Sequence, residues 1–479
     1  MQEGVDGARA RKLDVRLLLV ALAVSLGAAN VWLLNVTAYP SFNDFFPLAR
    51  DIATTFGGLV SLGCVYVGMR RPRFFYAPTT FAAALVFISL GALGMFWASS
   101  VASPFAATFF ACLRSLGSSL GSAYLICSLL DCDLRSCLVV LVCGYAGKYV
   151  WMAALWLAPN WLRCAALVIF GLVNVTMLYL CARPTMDCLA KLAPSESLDV
   201  TNPSSFVPFT SGVFVTILLF HAAFGFAITY GSVNSYPQPT IVAFVAFVLV
   251  MGIVLVRGST QIDLLFLVAF GFALLGMLLV MAPVSGELSG SLANAFLQAG
   301  SEVTTVVVDL LVVMVASRNR AGLLPVLFST GCAGAFGTEL GAMSGHLENY
   351  LDTVSPELAF FFAVAIAFSF AVYNVALVHD FSFDVAVTEV RPAAPVAELD
   401  EGDERLPAID GRVGQLVTER ALTPREAEVF ALLAHGRNAA YIQESLTISR
   451  NTVKSYVARV YGKLGVHSHQ ELIDLVEGE

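Results

Sequence analysis

Twelve times along its 479 residues the chain runs through about 20 predominantly apolar residues, the length a helix needs to cross the hydrocarbon of a bilayer. The stretches fall at approximately 17–36, 51–69, 78–98, 105–130, 137–157, 164–182, 209–229, 240–256, 264–282, 291–316, 321–345 and 356–378. Within lipid every backbone N–H and C=O must be bonded internally, so runs of this length select the helix. With 58% hydrophobic and 13% charged residues, neither a soluble globular chain nor a disordered one is compatible with the sequence. The fold class expected is all-α: a polytopic bundle of twelve transmembrane helices in a 6+6 pseudo-repeat, followed by a small soluble helical unit. The net charge of −8 carries no general basic excess, so any nucleic-acid surface has to be local. None of the ten cysteines forms a CxxC pair, and they read as buried free thiols rather than a disulfide or metal framework; no metal and no cofactor is expected.

Six stretches lie on each side of a Pro-, Ser- and Asp-rich linker, Arg183 to Phe206. The division expected is a flank over 1–16, a first membrane half over 17–182, a linker over 183–208 and a second half over 209–378. Loops alternately assigned to one side hold thirteen Lys and Arg, from Arg9 through Arg320, while the other side holds only Arg50 and Arg163. Positive charge marks the cytoplasmic side, which places both termini in the cytoplasm. All five tryptophans sit near the outer ends of their segments, as an interfacial belt would. The first stretch reads as a span, not a cleaved signal peptide, because its apolar run is long and its 16-residue flank holds three acids. The helix number, the two equal halves and the basic loop Gly68-Met69-Arg70-Arg71-Pro72-Arg73 resemble the major facilitator superfamily. That resemblance implies a substrate site between the halves near the bilayer midplane.

Ionisable groups inside the bilayer are costly and face a cavity or a partner. Five stand out: Arg114, Lys148, Glu302, Asp309 and Glu339. Glu302 and Asp309 are seven residues apart, close to two helical turns, and share a face. The facilitator resemblance implies that Arg114 faces Glu302 or Asp309 across the central cavity. Two readings stay open: a ligand site, with Arg114 holding an anionic group or Glu302 an amine, and an internal ion-pair network locking the halves together. His221 reads as a helix–helix hydrogen-bonding residue or a proton relay. Asn174 and the glycines Gly331, Gly334, Gly337 and Gly341 read as close helix packing.

After Val378 the composition changes: Asp380 to Asp410 contains nine acids and two arginines, which reads as an acidic flexible tether over 379–414. Within it Phe383 to Val390 alternates weakly, like a strand. Thr423-Pro424-Arg425-Glu426 has the form of a capping box with Pro at the first helical position, opening a helix to about Ala434. Asn438 caps a second helix through Ser445, Ser449 a third from Arg450 to about Leu464, and a fourth runs from Gln470 to Val476. Val453, Val457, Val460 and Leu464 give the third helix a buried stripe, and Arg450, Lys454, Arg459 and Lys463 leave it cationic elsewhere.

A short helix, a tight turn and a cationic helix match a helix-turn-helix. The residues Leu422 to Glu426, Glu428-Val429, Gly436, Ile442, Leu446, Ile448-Ser449, Thr452-Val453-Lys454 and Lys463 to Val466 resemble the LuxR-type DNA-binding domain, so 415–479 is expected to be such a four-helix unit. The resemblance implies that Lys454 and Ser455 approach bases, with Asn451 a third candidate, while Arg450, Thr452 and Arg459 hold phosphates. It also implies homodimerisation on DNA through Leu472 and Val476. The partners it implies are double-stranded promoter DNA and, as a candidate, RNA polymerase. A solvated basic helix on a protein-interaction module is the alternative.

Together these features suggest a multi-pass protein of the bacterial cell membrane that senses an unknown small-molecule ligand through a transporter-like domain and controls promoter binding. The alternatives are a secondary transporter with an autoregulatory DNA-binding tail, and a membrane part that only anchors. No hydrolase triad, phosphate loop or paired-carboxylate arrangement stands out, so no enzyme is expected.

Overall fold

The computed structural model describes residues 2–192, 195–202, 205–233, 240–257, 262–280, 287–380, 382–390 and 406–478. The first membrane half comprises α1 (Gln2–Leu33), α2 (Ala49–Arg70), α3 (Arg73–Tyr76), α4 (Pro78–Ser100), α5 (Pro104–Gly121), α6 (Ala123–Leu129), α7 (Leu134–Trp156) and α8 (Asn160–Leu189). A short helix, α9 (Ser195–Thr201), occupies the linker. The second half comprises α10 (Gly212–Val233), α11 (Thr240–Arg257), α12 (Ile262–Val280), α13 (Glu287–Arg318), α14 (Leu323–Val354) and α15 (Pro356–Asp380). Ten spans are long and apolar enough to cross a membrane, and two shorter apolar helices, Gly212–Phe226 and Ile241–Arg257, complete the series among the described residues. In order they match the twelve apolar stretches of the sequence.

Local chemistry sets the helix starts. Pro78, Pro104 and Pro356 open α4, α5 and α15, where the missing N–H is no loss. Ser103 accepts from the Ala106 amide and Asp133 from the Ser136 amide at the caps of α5 and α7. Glycine sets the closest crossing: a Cβ at Gly337 or Gly341 of α14 would stand 2.1 Å from the Leu218 carbonyl oxygen or 1.9 Å from that of Ala222, both on α10. Only glycine lets these backbones touch.

The halves are tied at both ends of the bundle. Where α2 begins and α14 ends, His346 Nε2 lies 2.8 Å from an Asp51 carboxylate oxygen, and Arg50 donates to Thr229 at 2.8 Å. At the opposite end Arg320 pairs with Asp131 at 3.1 Å, and Thr185 donates to the same carboxylate at 2.6 Å.

Two departures from the expected tether follow. Phe383 to Glu389 is a helix, α16, and not a strand: Phe383, Val387 and Val390 are buried against the membrane bundle, and Asp263 accepts from the Phe383 amide at 2.7 Å. Another helix, α17 (Leu406–Glu419), buries Ile409, Val413 and Leu416 in the soluble unit, which therefore begins earlier than the sequence suggested. Both segments carry apolar residues at helical spacing that the surrounding acids obscured. The rest of the expected tether, 391–405, lies outside the described residues.

The soluble headpiece adds α18 (Pro424–Ala434), α19 (Ala439–Leu446), α20 (Arg450–Leu464) and α21 (His469–Glu477). Its core includes Val429, Phe430, Leu433, Ile442 and the α20 stripe Val453, Val457, Val460 and Leu464. Each full burial of this kind contributes about 1.5–3 kcal/mol before chain entropy is charged against it. The capping box forms as the sequence indicated, with the Thr423 amide donating to Glu426 at 2.9 Å and the Glu426 amide to Thr423 Oγ1 at 3.4 Å. Gly465, at φ +77°, ends α20 in the left-handed conformation.

Acid should weaken this headpiece in two steps. Burial pushes the His469 imidazole below its ordinary 6.5, and its Nε2 contacts the Leu433 carbonyl at 2.7 Å. Stability falls as the pH drops below 6.5, because the unfolded chain takes up a proton that the folded one resists. Lys463, donating at 2.7 Å, and the Thr423 amide hold the Glu426 carboxyl down at about 2, so its contribution is full above its ordinary 4.5 and is lost as the pH falls toward 2. Urea denaturation followed by helical circular dichroism between pH 8 and 3 should show both steps, with His469→Gln flattening the upper and Glu426→Gln the lower.

Candidate nucleic-acid interface and central cavity

The exposed side of α20 carries the residues expected to meet DNA. Asn451, Lys454, Ser455 and Arg459 are exposed, while Arg450 and Thr452 are half-buried. Ser449 caps the helix by accepting from the Thr452 amide at 3.2 Å, which fixes the first turn where α19 delivers the chain. Arg459 lies 4.9 Å over the Tyr456 ring and donates to the Ser455 carbonyl, so its guanidinium is held along the helix.

This face is not free. Lys454 Nζ donates to Asp199 at 2.7 Å, and Arg450 lies 3.5 Å from the same carboxylate oxygen. Asp199 belongs to α9, in the linker between the membrane halves. The docking extends beyond one acid: Val200, 1% exposed, enters the headpiece core, the Tyr461 hydroxyl donates to the Thr201 carbonyl at 2.5 Å, and the His469 amide to Asn202 at 2.9 Å. The Asp199 carboxylate thus sits between two cations of α20. The sequence had offered this linker as connection only. Its one signal is the Leu198-Asp199-Val200 run inside an otherwise Pro- and Ser-rich stretch.

Leu472 and Val476 require correction as dimer contacts. They are 0% and 5% exposed and pack inside the headpiece's own core. Their spacing marks the apolar face of α21, and that face turns inward; the apolar groups α21 leaves half-exposed are Ile473 and Leu475.

Between the membrane halves lies a cavity of about 490 Å³ lined by Arg114, Lys148, Glu302 and Asp309, together with Asn30 and Tyr145. Lys148 of α7 and Glu302 of α13 form a buried ion pair across the halves, and the Tyr149 hydroxyl reaches both Glu302 oxygens at 2.9 and 2.8 Å. Asp309, two turns along α13, accepts from Tyr145 at 3.4 Å. Arg114 lines the same cavity as Glu302 and Asp309, as the facilitator resemblance implied, and makes no ion pair with either among the described residues. Its Nη2 donates to Asn30, a residue the sequence did not single out. Glu339 is not among the residues lining the cavity; it sits on α14 with one carboxylate oxygen buried and without a partner among the described residues.

The remaining polar groups divide between lining and packing. His221 lines the cavity and bonds through Nδ1 to the Ile217 carbonyl of its own helix at 2.9 Å. Asn174 ties α8 to α1 by donating to the Ala23 carbonyl at 2.6 Å, and it also lines the cavity.

Residues 420–476 match the family of bacterial regulatory proteins, luxR family. The probable HTH-type transcriptional regulator GfsR of Streptomyces halstedii is 32% identical over 84 residues, 18% of this chain and 33% of that protein. The transcriptional activator protein ExaE of Pseudomonas putida is 42% identical over 65 residues, 14% of this chain and 30% of that protein. The chain thus spans about a third of the length of the curated relatives it matches. A crystal structure of a bacterial homologue of the iron transporter ferroportin, outward-facing and with soaked iron, superposes with a TM-score of 0.50 at 16% identity, covering 77% of this chain and 99% of that one. At that identity the likeness is one of fold. The chain therefore joins a LuxR-type helix-turn-helix domain, over 420–476, to a bundle of long apolar helices whose fold is like that of this transporter homologue.

Proposed function

We propose that this protein is a membrane-embedded, one-component transcription regulator of the bacterial cell membrane, with both termini in the cytoplasm. A small molecule entering the central cavity shifts the two halves relative to one another. The linker joining those halves moves with them, and α9 leaves the recognition helix. The observation that supports this reading is the Asp199 carboxylate on Lys454 and Arg450, because the linker between the membrane halves thereby covers residues proposed to meet promoter DNA. A ligand can drive the change only through its different affinities for the docked and undocked arrangements. The thirteen-to-two distribution of Lys and Arg over the loops supports the cytoplasmic placement of the headpiece. In the released state Lys454, Ser455 and Asn451 read bases, Arg450, Thr452 and Arg459 hold phosphates, and a second copy binds the other half-site.

The test is chromosome-wide occupancy of the intact protein, with Lys454→Ala examined in an Asp199→Lys background so that release and DNA contact are separated. Removing the lysine should cost about 1–3 kcal/mol of specific binding, roughly 10- to 100-fold. Unchanged occupancy at the same promoters would sink the assignment. The facilitator-like fold keeps a transporter with an autoregulatory tail as the second reading; uptake into vesicles that depends on Asp309 would favour it.

A further inference from the structure

Among the described residues the cavity is lined by Arg114, Lys148, Glu302 and Asp309, with His221 and Tyr145 beside them, and the pairing of the four charges is uneven. Lys148 and Glu302 neutralise each other, with Tyr149 filling both oxygens of the acid, so neither is available to a ligand of opposite charge. Asp309 has Tyr145. Arg114 has no acid. It is 8% exposed, its single hydrogen-bond acceptor among the described residues is the uncharged Asn30, and its Nε–H is buried with no acceptor at all. A guanidinium is protonated at neutral pH and carries five N–H donors in a planar fork. Leaving such a group buried without an anion is costly, and the cost disappears when an anion enters.

The surroundings hold the guanidinium still. A Cβ at Gly91 of α4 would stand 2.5 Å from the Arg114 Cβ and 2.7 Å from its amide nitrogen, so α4 lies flat against this turn of α5. Asn30 is itself oriented, because its amide donates to the Leu167 carbonyl at 2.5 Å and its oxygen is thereby turned to Arg114. Ser118, one turn further along α5, is exposed and lines the cavity, so there is open space beside the guanidinium. Val24, Val31, Trp32 and Phe224 supply apolar walls. The volume of about 490 Å³ falls within the range of small-molecule sites, roughly 300–1,000 Å³.

We propose that the central cavity binds a small organic monocarboxylate, with Arg114 as its anion anchor, Asn30 as the residue that positions the guanidinium, and the aromatic and aliphatic walls holding the body of the acid. One uncompensated cation selects one negative charge, since among the described residues lining the cavity a phosphate dianion would find no second unpaired Lys or Arg. This names the ligand class of the site invoked under the proposed function and rests on that reading only for its regulatory consequence.

The experiment uses the full-length chain in lipid nanodiscs without DNA. Tryptophan fluorescence and thermal unfolding are followed against benzoate, octanoate and palmitate, with benzamide and benzylamine as neutral and cationic controls. At least one carboxylate should give a saturable change and raise the unfolding temperature, whereas benzamide and benzylamine should not. A response to benzoate or octanoate assigns a water-borne acid; a response to palmitate alone assigns one delivered from the bilayer, and either supports the site. Arg114→Gln should weaken the response at least tenfold. Should that variant fold poorly, Ser118→Glu provides an internal carboxylate one turn away on the same face and should abolish the response while raising the unfolding temperature, with Ser118→Gln as the size control. Failure of all three carboxylates, a stronger response to benzylamine, or an unchanged response in Ser118→Glu would overturn the proposal. Promoter occupancy that ignores a bound carboxylate counts against the regulatory reading alone. Asp199-dependent occupancy without carboxylate binding counts against the anion site alone.

Discussion

Glu302→Gln should destabilise the membrane bundle by about 3–5 kcal/mol, because it strands the Lys148 ammonium in the interior with no counter-charge. Lys148 is 5% and Glu302 7% exposed, so water offers little relief. The measurement is the thermal midpoint of the purified protein together with its abundance in the membrane. The double variant Lys148→Met with Glu302→Gln should recover most of the loss, since it removes both charges and leaves an amide for the Tyr149 hydroxyl. A single Glu302→Gln variant with wild-type midpoint and abundance would show that the pair contributes nothing to holding the halves together. The prediction also divides the buried charges by role: Lys148 with Glu302 is the lock, and Arg114 is the vacancy.

The second large effect concerns the linker. Asp199→Lys combined with Val200→Ser should raise the DNA affinity of the intact protein by about 10- to 100-fold, or roughly 1.4–2.7 kcal/mol. The carboxylate contact is partly exposed, with Lys454 at 47% and Asp199 at 19%, so by itself it is worth little more than about 1 kcal/mol. Withdrawal of Val200 from the headpiece core supplies the remainder, as a buried valine contributes about 1.5 kcal/mol or more. Electrophoretic mobility shift with the full-length protein, at fixed salt, measures it. An isolated 406–478 headpiece, which lacks α9, should bind DNA as tightly as the intact double variant does. An intact double variant that binds DNA no better than the wild type would remove α9 as a restraint.

The fold was legible where the signal is local. Apolar runs of membrane length mark the spans, and Thr423, Asn438, Ser449 and Gly465 punctuate the headpiece because capping depends on neighbours three or four residues away. What escaped depends on contacts between distant segments. Asp199 is one acid in a polar linker until α20 is folded against it, 255 residues further on. The preference of Glu302 for Lys148 over Arg114 is settled by which helices adjoin, and charge type alone cannot rank the two. Leu472 and Val476 define a face, but spacing does not say whether that face meets its own core or a second copy. The acidic segment after Val378 hid two helices because most of its charges surround, rather than interrupt, the positions that Phe383, Val387, Ile409 and Val413 bury.

Because α9 and the headpiece belong to one polypeptide, the restraint on α20 is unimolecular. Its grip is set by an effective concentration fixed by chain length, in the millimolar range for short connections. The fraction of molecules that are shut therefore does not change with how many copies the cell makes, whereas the search for promoters by those that open does. Dosage sets how fast such a system answers, and the balance between docked and undocked linker sets the threshold at which it answers.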